Sequence, residues 1–281
     1  MATNSSRIHG DVWRAPIPLA WPSAAPGLLV AATAHTRTAS GAIRREALKD
    51  GIFLVPVRAF IGIGWLRAFA EKITEPGWRD GASLAAFLDH QMQSGMVVFP
   101  AYRALVGDVF LAQALVLGWI VMIGQLLAGA AILTGSLTRA ALLGGIFMNL
   151  NFLLAGVPDP SAFYIVIQVV LLMAGAGAVL GIDALLAAHG RFPLLAARPP
   201  GLQPSLALPA PAGIALAILA CGIAVYATAQ IRDWSPAGSV RDPAAVLAVL
   251  AYMTASWATI AALRGDRNPP AAQSRLARPR A

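Results

Sequence analysis

Six stretches of the chain are nearly uninterrupted apolar residues, at about 52–70, 105–133, 137–154, 162–187, 212–231 and 244–263. A helix rising about 1.5 Å per residue needs around 20 such residues to cross a hydrocarbon core roughly 30 Å thick. Each stretch therefore predicts a transmembrane helix. Gly156-Val157-Pro158-Asp159-Pro160 separates the third from the fourth, a run that cannot continue a helix. The polar connection 71–104 carries Leu84, Phe87, Leu88 and Met92 at helical spacing, which predicts an interfacial amphipathic helix with Asp80 or Ser83 as N-cap. Gly177 and Gly181 form a GxxxG pair in the fourth stretch, suited to tight packing or to a dimer face.

The expected fold class is all-α: a polytopic integral membrane helical bundle with a four-helix core and two C-terminal transmembrane helices. Its parts are a basic N-terminal segment 1–48, the core 49–188 with its outer loop 71–104, a Pro-rich linker 189–211, a helix pair 212–263 and a basic tail 264–281. Composition agrees, since 58% of the 281 residues are hydrophobic, 12% are charged and mean hydropathy is +0.67. The net charge of +8 lies in loops and tails rather than on a basic face, which argues against a nucleic-acid partner. With the N-terminus inside, fourteen Lys and Arg residues fall on the inner side and five on the outer. Those five are Lys72, Arg79, Arg103, Arg232 and Arg241, so a bacterial inner-membrane protein with both termini cytoplasmic is expected.

Candidate chemistry is sparse. Cys221 stands alone, and His9, His35, His90 and His189 fall in tails or loops, so neither a metal cage nor a haem site is expected, and no flavin either. Arg58 lies about 9 Å into the first stretch, where it either snorkels to the inner headgroups or faces the bundle. Arg58, Gly62, Trp65, Phe69 and Lys72 share one helical stripe, which is either ordinary core or a wall able to flank a flat ring. Gln113, Gln125, Asn149, Asn151 and Gln168 must find hydrogen bonds inside the bundle, with each other or with a guest. His90 in the outer connection is a surface histidine or a proton relay.

The segment Val57-Arg-Ala-Phe-Ile-Gly-Ile-Gly-Trp-Leu-Arg-Ala-Phe-Ala-Glu-Lys72, with Pro76-Gly-Trp78 after it, resembles the first helix of DoxX/DoxD-type membrane proteins, including the thiosulfate:quinone oxidoreductase small-subunit-like group. Gly144 to Gly156, with Met148-Asn-Leu-Asn-Phe152 inside it, is similar to that family's third helix. The resemblance covers about 50–188, at Arg58, Gly62, Glu71, Lys72, Trp78, Asn149 and Asn151; the long N-terminal segment and the C-terminal pair depart from the pattern. It implies a four-helix DoxX-like core and a subunit of a quinone-linked oxidoreductase acting on thiosulfate or another sulfur compound. The implied roles are Arg58, Trp65, Lys72, Asn149 and Asn151 around a quinone, and Glu71 or His90 in proton exchange. Membrane lipid and a partner subunit or soluble redox protein are the implied partners. The rival expectation is a non-catalytic scaffold that docks soluble redox or stress-response proteins through its basic tails.

Overall fold

In a computed structural model, residues 51–188 and 209–265 are described, all of them within the unit Glu46–Ala281. The basic segment, nearly all of the Pro-rich linker and all but the first residues of the C-terminal tail lie outside the described residues. The longer helices are α1 (Leu54–Thr74), α2 (Ala82–Gln93), α3 (Ala114–Thr134), α4 (Thr138–Leu154), α5 (Ser161–Met173), α6 (Ile182–Ala188), α7 (Ala210–Thr228) and α8 (Pro243–Gly265), with no strand among the described residues. Of these, α3, α7 and α8 are long and apolar enough to cross a membrane. On α3 the outward positions include Ile120, Ile123 and Leu127, so the helix is apolar on its exposed face as well as its packed one.

The other expected spans differ from the sequence reading. Helix α1 has sufficient length, at 21 residues, but carries Arg58, Arg67, Glu71 and Lys72. At 17 residues α4 is shorter. The expected fourth helix over 162–187 is not continuous: α5 stops after 13 residues, about 20 Å of rise, and the chain turns through Gly175 at φ +64° and Leu180 at φ +48° before α6 begins. Gly177 and Gly181 therefore lie outside any long helix, and the GxxxG reading is corrected. The second stretch also starts late. A one-turn helix Pro100–Leu105 leads into a π-helical turn, Val106–Phe110, and α3 begins only at Ala114.

The helices pair as α1 with α3, α4 with α5, and α7 with α8, while α3 also packs on α4. Glycine decides the first crossing: a Cβ on Gly62 would lie 2.9 Å from the Leu133 amide nitrogen, and one on Gly129 would lie 2.9 Å from that of Leu66. Alanine decides the third. Gly213, Ala220, Ala224 and Ala227 are buried on α7, and Ala244, Ala248, Ala251, Ala258 and Ala262 on α8, at intervals of three, four or seven like a heptad seam. Small side chains let these two backbones close, the usual means of helix association in lipid.

The connections sort to two ends of the bundle. At one end, Arg232 donates to the Gly95 carbonyl at 2.8 Å, Tyr102 donates to the Asn151 carbonyl at 3.1 Å, and Val98 and Phe99 pack with Ala227 and Ala244. At the other, residues 51, 58, 135–138 and 176–183 meet. The first of these ends also holds α2. Its Leu84 and Leu88 are buried against Val97, Val106 and Ala155, with Phe87 and Met92 alongside, so its apolar face is turned onto protein rather than onto lipid. Gly81, not Asp80 or Ser83, is its N-cap, at φ +84° with a Cβ position only 2.5 Å from the Leu115 nitrogen. Asp80 instead accepts from the Ala82 amide at 2.9 Å.

Candidate functional site

Arg58 faces inward and is 3% exposed, which settles the choice between snorkelling and the bundle. Its Nη1 donates to the carbonyls of Ala176 and Val179 at 2.7 and 2.8 Å, and its Nη2 to Leu180 at 2.8 Å. The guanidinium thus supplies donors to the Val179 and Leu180 carbonyls where the chain unwinds after α5, and adds a second donor to the Ala176 carbonyl, which also accepts from the Val179 amide at 3.2 Å. Asp183 completes the arrangement. Its carboxylate accepts from the amides of Leu137 and Thr138 at 2.8 and 3.0 Å, capping the start of α4, and its own amide donates to Gly135 at 2.8 Å. The opposite charges of Arg58 and Asp183 attract each other across this junction. Three chain segments are tied together here by one cation and one anion.

A second set of polar groups lies inside the bundle without such partners. Trp65, Gln125, Asn149 and Gln168 are each no more than 3% exposed. Trp65 Nε1, Gln125 Oε1, Asn149 Nδ2 and both amide atoms of Gln168 have no hydrogen bond. These side chains come from four different helices, α1, α3, α4 and α5. A Cβ on Gly145 would meet Gln168 Oε1 at 2.7 Å, so the Gln168 amide lies against α4 one turn from Asn149. The Trp65 ring stands 6.3 Å from Tyr164, one turn before Gln168, and 6.5 Å from Phe152, three residues beyond Asn149. Gln125 follows Gly124, whose Cβ position is 3.0 Å from Met148 Sδ, the neighbour of Asn149. An unpaired buried amide costs about 1–3 kcal/mol, and this bundle holds several.

The remaining candidates gather at the end that holds α2. Lys72 Nζ sits 4.9 Å from the Trp78 ring centre, a cation–π contact. Glu71 is exposed and bonded to Arg67 at 2.7 Å. His90 is exposed on α2. Asn151 is half-buried and already engaged, donating to the Phe147 carbonyl at 2.9 Å while Tyr102 lies within hydrogen-bonding reach. Arg58 and Lys72 are fourteen residues apart, about 21 Å along the helix. One ring cannot touch both, so the stripe divides into separate places rather than forming one wall.

Burial pushes the Tyr102 phenol up to about 12. A phenol whose folded pKa is raised contributes stability below its unfolded value near 10 and loses it as the pH climbs from there towards 12. Alkaline titration followed at 295 nm is expected to show a late-ionising component that Tyr102→Phe removes. If all tyrosines titrated together near pH 10, the Tyr102 environment described here would be wrong.

Gln125 and Gln168 stand out in the sequence as amides within apolar stretches, whereas Asp183 and Thr138 do not emerge from it. The signal for Asp183 was present: a carboxylate at the end of an apolar run requires a partner as much as Arg58 does. The assembled picture is of a helical protein with three apolar helices of membrane-crossing length and an unpartnered polar interior. No family model matches this chain, and no curated protein or solved structure matches it either.

Proposed function

We propose that the chain is an integral membrane subunit of a quinone-linked oxidoreductase, of the thiosulfate or other sulfur-compound:quinone type, contributing a quinone-side pocket. The observation that carries this reading is the interior set of unpartnered polar atoms on Trp65, Gln125, Asn149 and Gln168. The likeness of 57–72 and 144–156 to DoxX-type sequences adds to it, and the proposed architecture is a four-helix DoxX-like core with a C-terminal transmembrane pair. Alternation of the connections between two ends supports a path with both termini on the cytoplasmic side of a bacterial inner membrane.

In this reading Trp65 offers a ring face, and the amides of Asn149 and Gln168 offer donors to a quinone oxygen. Lys72, Glu71 and His90, at the α2 end, are assigned proton exchange with solvent in this reading rather than contact with the ring. Arg58 holds the bundle together and takes no part in binding. Purification of the full chain from its native membrane, with extraction of bound lipids and mass spectrometry, is expected to recover quinone, and Asn149→Leu is expected to reduce the recovered amount severalfold. A preparation that retains no quinone and reduces none with thiosulfate or other thiols would refute the proposal.

A further inference from the structure

We propose that the free face of α1 is where two copies of this chain meet in the membrane, held in register by Arg67 and Glu71. The inference rests on the membrane-spanning part of the functional reading and is independent of the quinone. The exposed positions of α1 are Pro56, Phe60, Ile63, Arg67, Ala70 and Thr74, with Glu71 beside them. Their steps of four and three draw a heptad-like stripe, separate from the inward one that carries Ile61, Gly62 and Trp65. Most of the stripe is apolar or small, and Phe60 and Ile63 are each more than half exposed. Within it stands an ion pair: Arg67 Nε donates to Glu71 Oε1 at 2.7 Å, with the two side chains 80% and 60% exposed.

The pair lies at a depth where acyl chains would otherwise surround it. Helix α3 is long and apolar enough to cross a membrane, and α1 packs against it in the opposite direction, Gly62 meeting Leu133 and Leu66 meeting Gly129. Continued at about 1.5 Å per residue on both helices, that register brings Arg67 level with about residue 128 and Glu71 with about residue 124, the middle of α3. At those heights α3 exposes Ile123 and Leu127. Charged side chains at such depth face protein or water rather than lipid, because hydrocarbon offers nothing in place of their hydration. A polar surface therefore covers this face. A second copy supplies one, since two chains inserted the same way are related by a two-fold axis along the membrane normal, which brings like positions together. Phe60, Ile63, Ala70 and Thr74 then line an apolar and small-residue seam. Each Arg67 has the Glu71 of its own chain one turn away and the Glu71 of the second copy on the diagonal. The bond through Nε uses one of the five guanidinium donors, so the others are available to that second carboxylate, and the four charges cancel. With Glu71 so engaged, proton exchange in the quinone reading falls to Lys72 and His90.

The test uses the full chain in native membranes, with Cys221→Ser removing the exposed native thiol. Ile63→Cys and Ala70→Cys are introduced singly and oxidised with copper phenanthroline. Each is expected to give a disulfide-linked dimer, since a disulfide needs Cα atoms within about 7 Å of each other. Ile218→Cys, at an exposed position of α7, should give about tenfold less. Charge variants on the Ala70→Cys chain then probe the pair. Arg67→Glu makes the seam all-acidic and Glu71→Arg makes it all-basic, so each alone should lose the dimer about tenfold, while co-expression of the two with different tags should restore it as a mixed dimer. An Arg67–Glu71 pair acting only within one chain predicts no such recovery. Retention in carbonate-washed membranes tests the membrane reading by itself. A retained chain in which neither cysteine links to its counterpart, as when lipid or a different protein covers this face, would overturn the inference while that reading stands. Linkage at Ile218→Cys equal to that at Ala70→Cys, or no mixed dimer, would do the same. Release by carbonate would remove the reading and the inference together.

Discussion

Replacing Arg58 by methionine is expected to destabilise the folded bundle by about 3 kcal/mol. Methionine keeps most of the apolar stem, so the loss isolates the guanidinium from its packing. The carbonyls of Val179 and Leu180 would lose the donor they have here, and that of Ala176 would keep only the Val179 amide at 3.2 Å, each unpaired group costing about 1–3 kcal/mol where it is buried. An opposing effect exists, because a bare arginine in an inserted helix costs about 2.5–3.5 kcal/mol on insertion scales. That term belongs to the inserted but unfolded chain. It should raise the yield of inserted Arg58→Met protein even as its resistance to thermal unfolding in detergent falls. Arg58→Lys should lie between the two, since one ammonium cannot span three carbonyls as a planar guanidinium does. Asp183→Asn on the Arg58→Met background should cost less than it does alone, the mark of a coupled pair. If Arg58→Met melted within a degree or two of the native protein, the junction would not depend on this side chain.

The legible and illegible parts of this fold divide according to the range of the interactions that decide them. Helices α3, α7 and α8 can be read from sequence because length and apolarity are local, and their interiors require nothing from elsewhere. The interruption after α5 cannot be read that way. Gly175, Gly177 and Gly181 have the same letters whether they serve a helix interface or a turn, and the choice rests on Arg58 and Asp183, more than a hundred residues and about forty-five residues from their respective partners. The late start of α3 is similar, since the π-helical turn at Val106–Phe110 sits where Val106 is buried against Leu84 and Leu88 of α2. Of the candidate site, the amides of Asn149, Gln125 and Gln168 are visible as polar letters in apolar text. Their lack of partners is not, because satisfaction is a property of neighbours on three other helices. The direction of Arg58 is equally hidden, as 9 Å of depth lets a long side chain reach headgroups or bundle alike.

Gly62→Ala is expected to destabilise the protein by about 1–3 kcal/mol, although Gly→Ala inside an exposed helix normally gains up to about 1 kcal/mol. The sign reverses because the new Cβ would stand 2.9 Å from the Leu133 nitrogen and 3.0 Å from its Cα, and backbone atoms of a packed helix cannot rotate away. Helices α1 and α3 would have to separate, and with them Leu66 and Gly129, whose Cβ position is just 3.0 Å from the Gly62 carbonyl oxygen. Gly144 provides the internal comparison: nothing lies within 4 Å of its Cβ position, so Gly144→Ala should be neutral or slightly stabilising in the same thermal unfolding measurement. Gly129→Ala should resemble Gly62→Ala, and the double variant should fall short of the sum of the two, because the first substitution already opens the crossing that the second would strain. Equal melting temperatures for Gly62→Ala and Gly144→Ala would mean that α1 and α3 do not approach as closely as this structure places them. The proposed interior site would then lose one of its walls, since Trp65 lies three residues beyond Gly62 on the same helix.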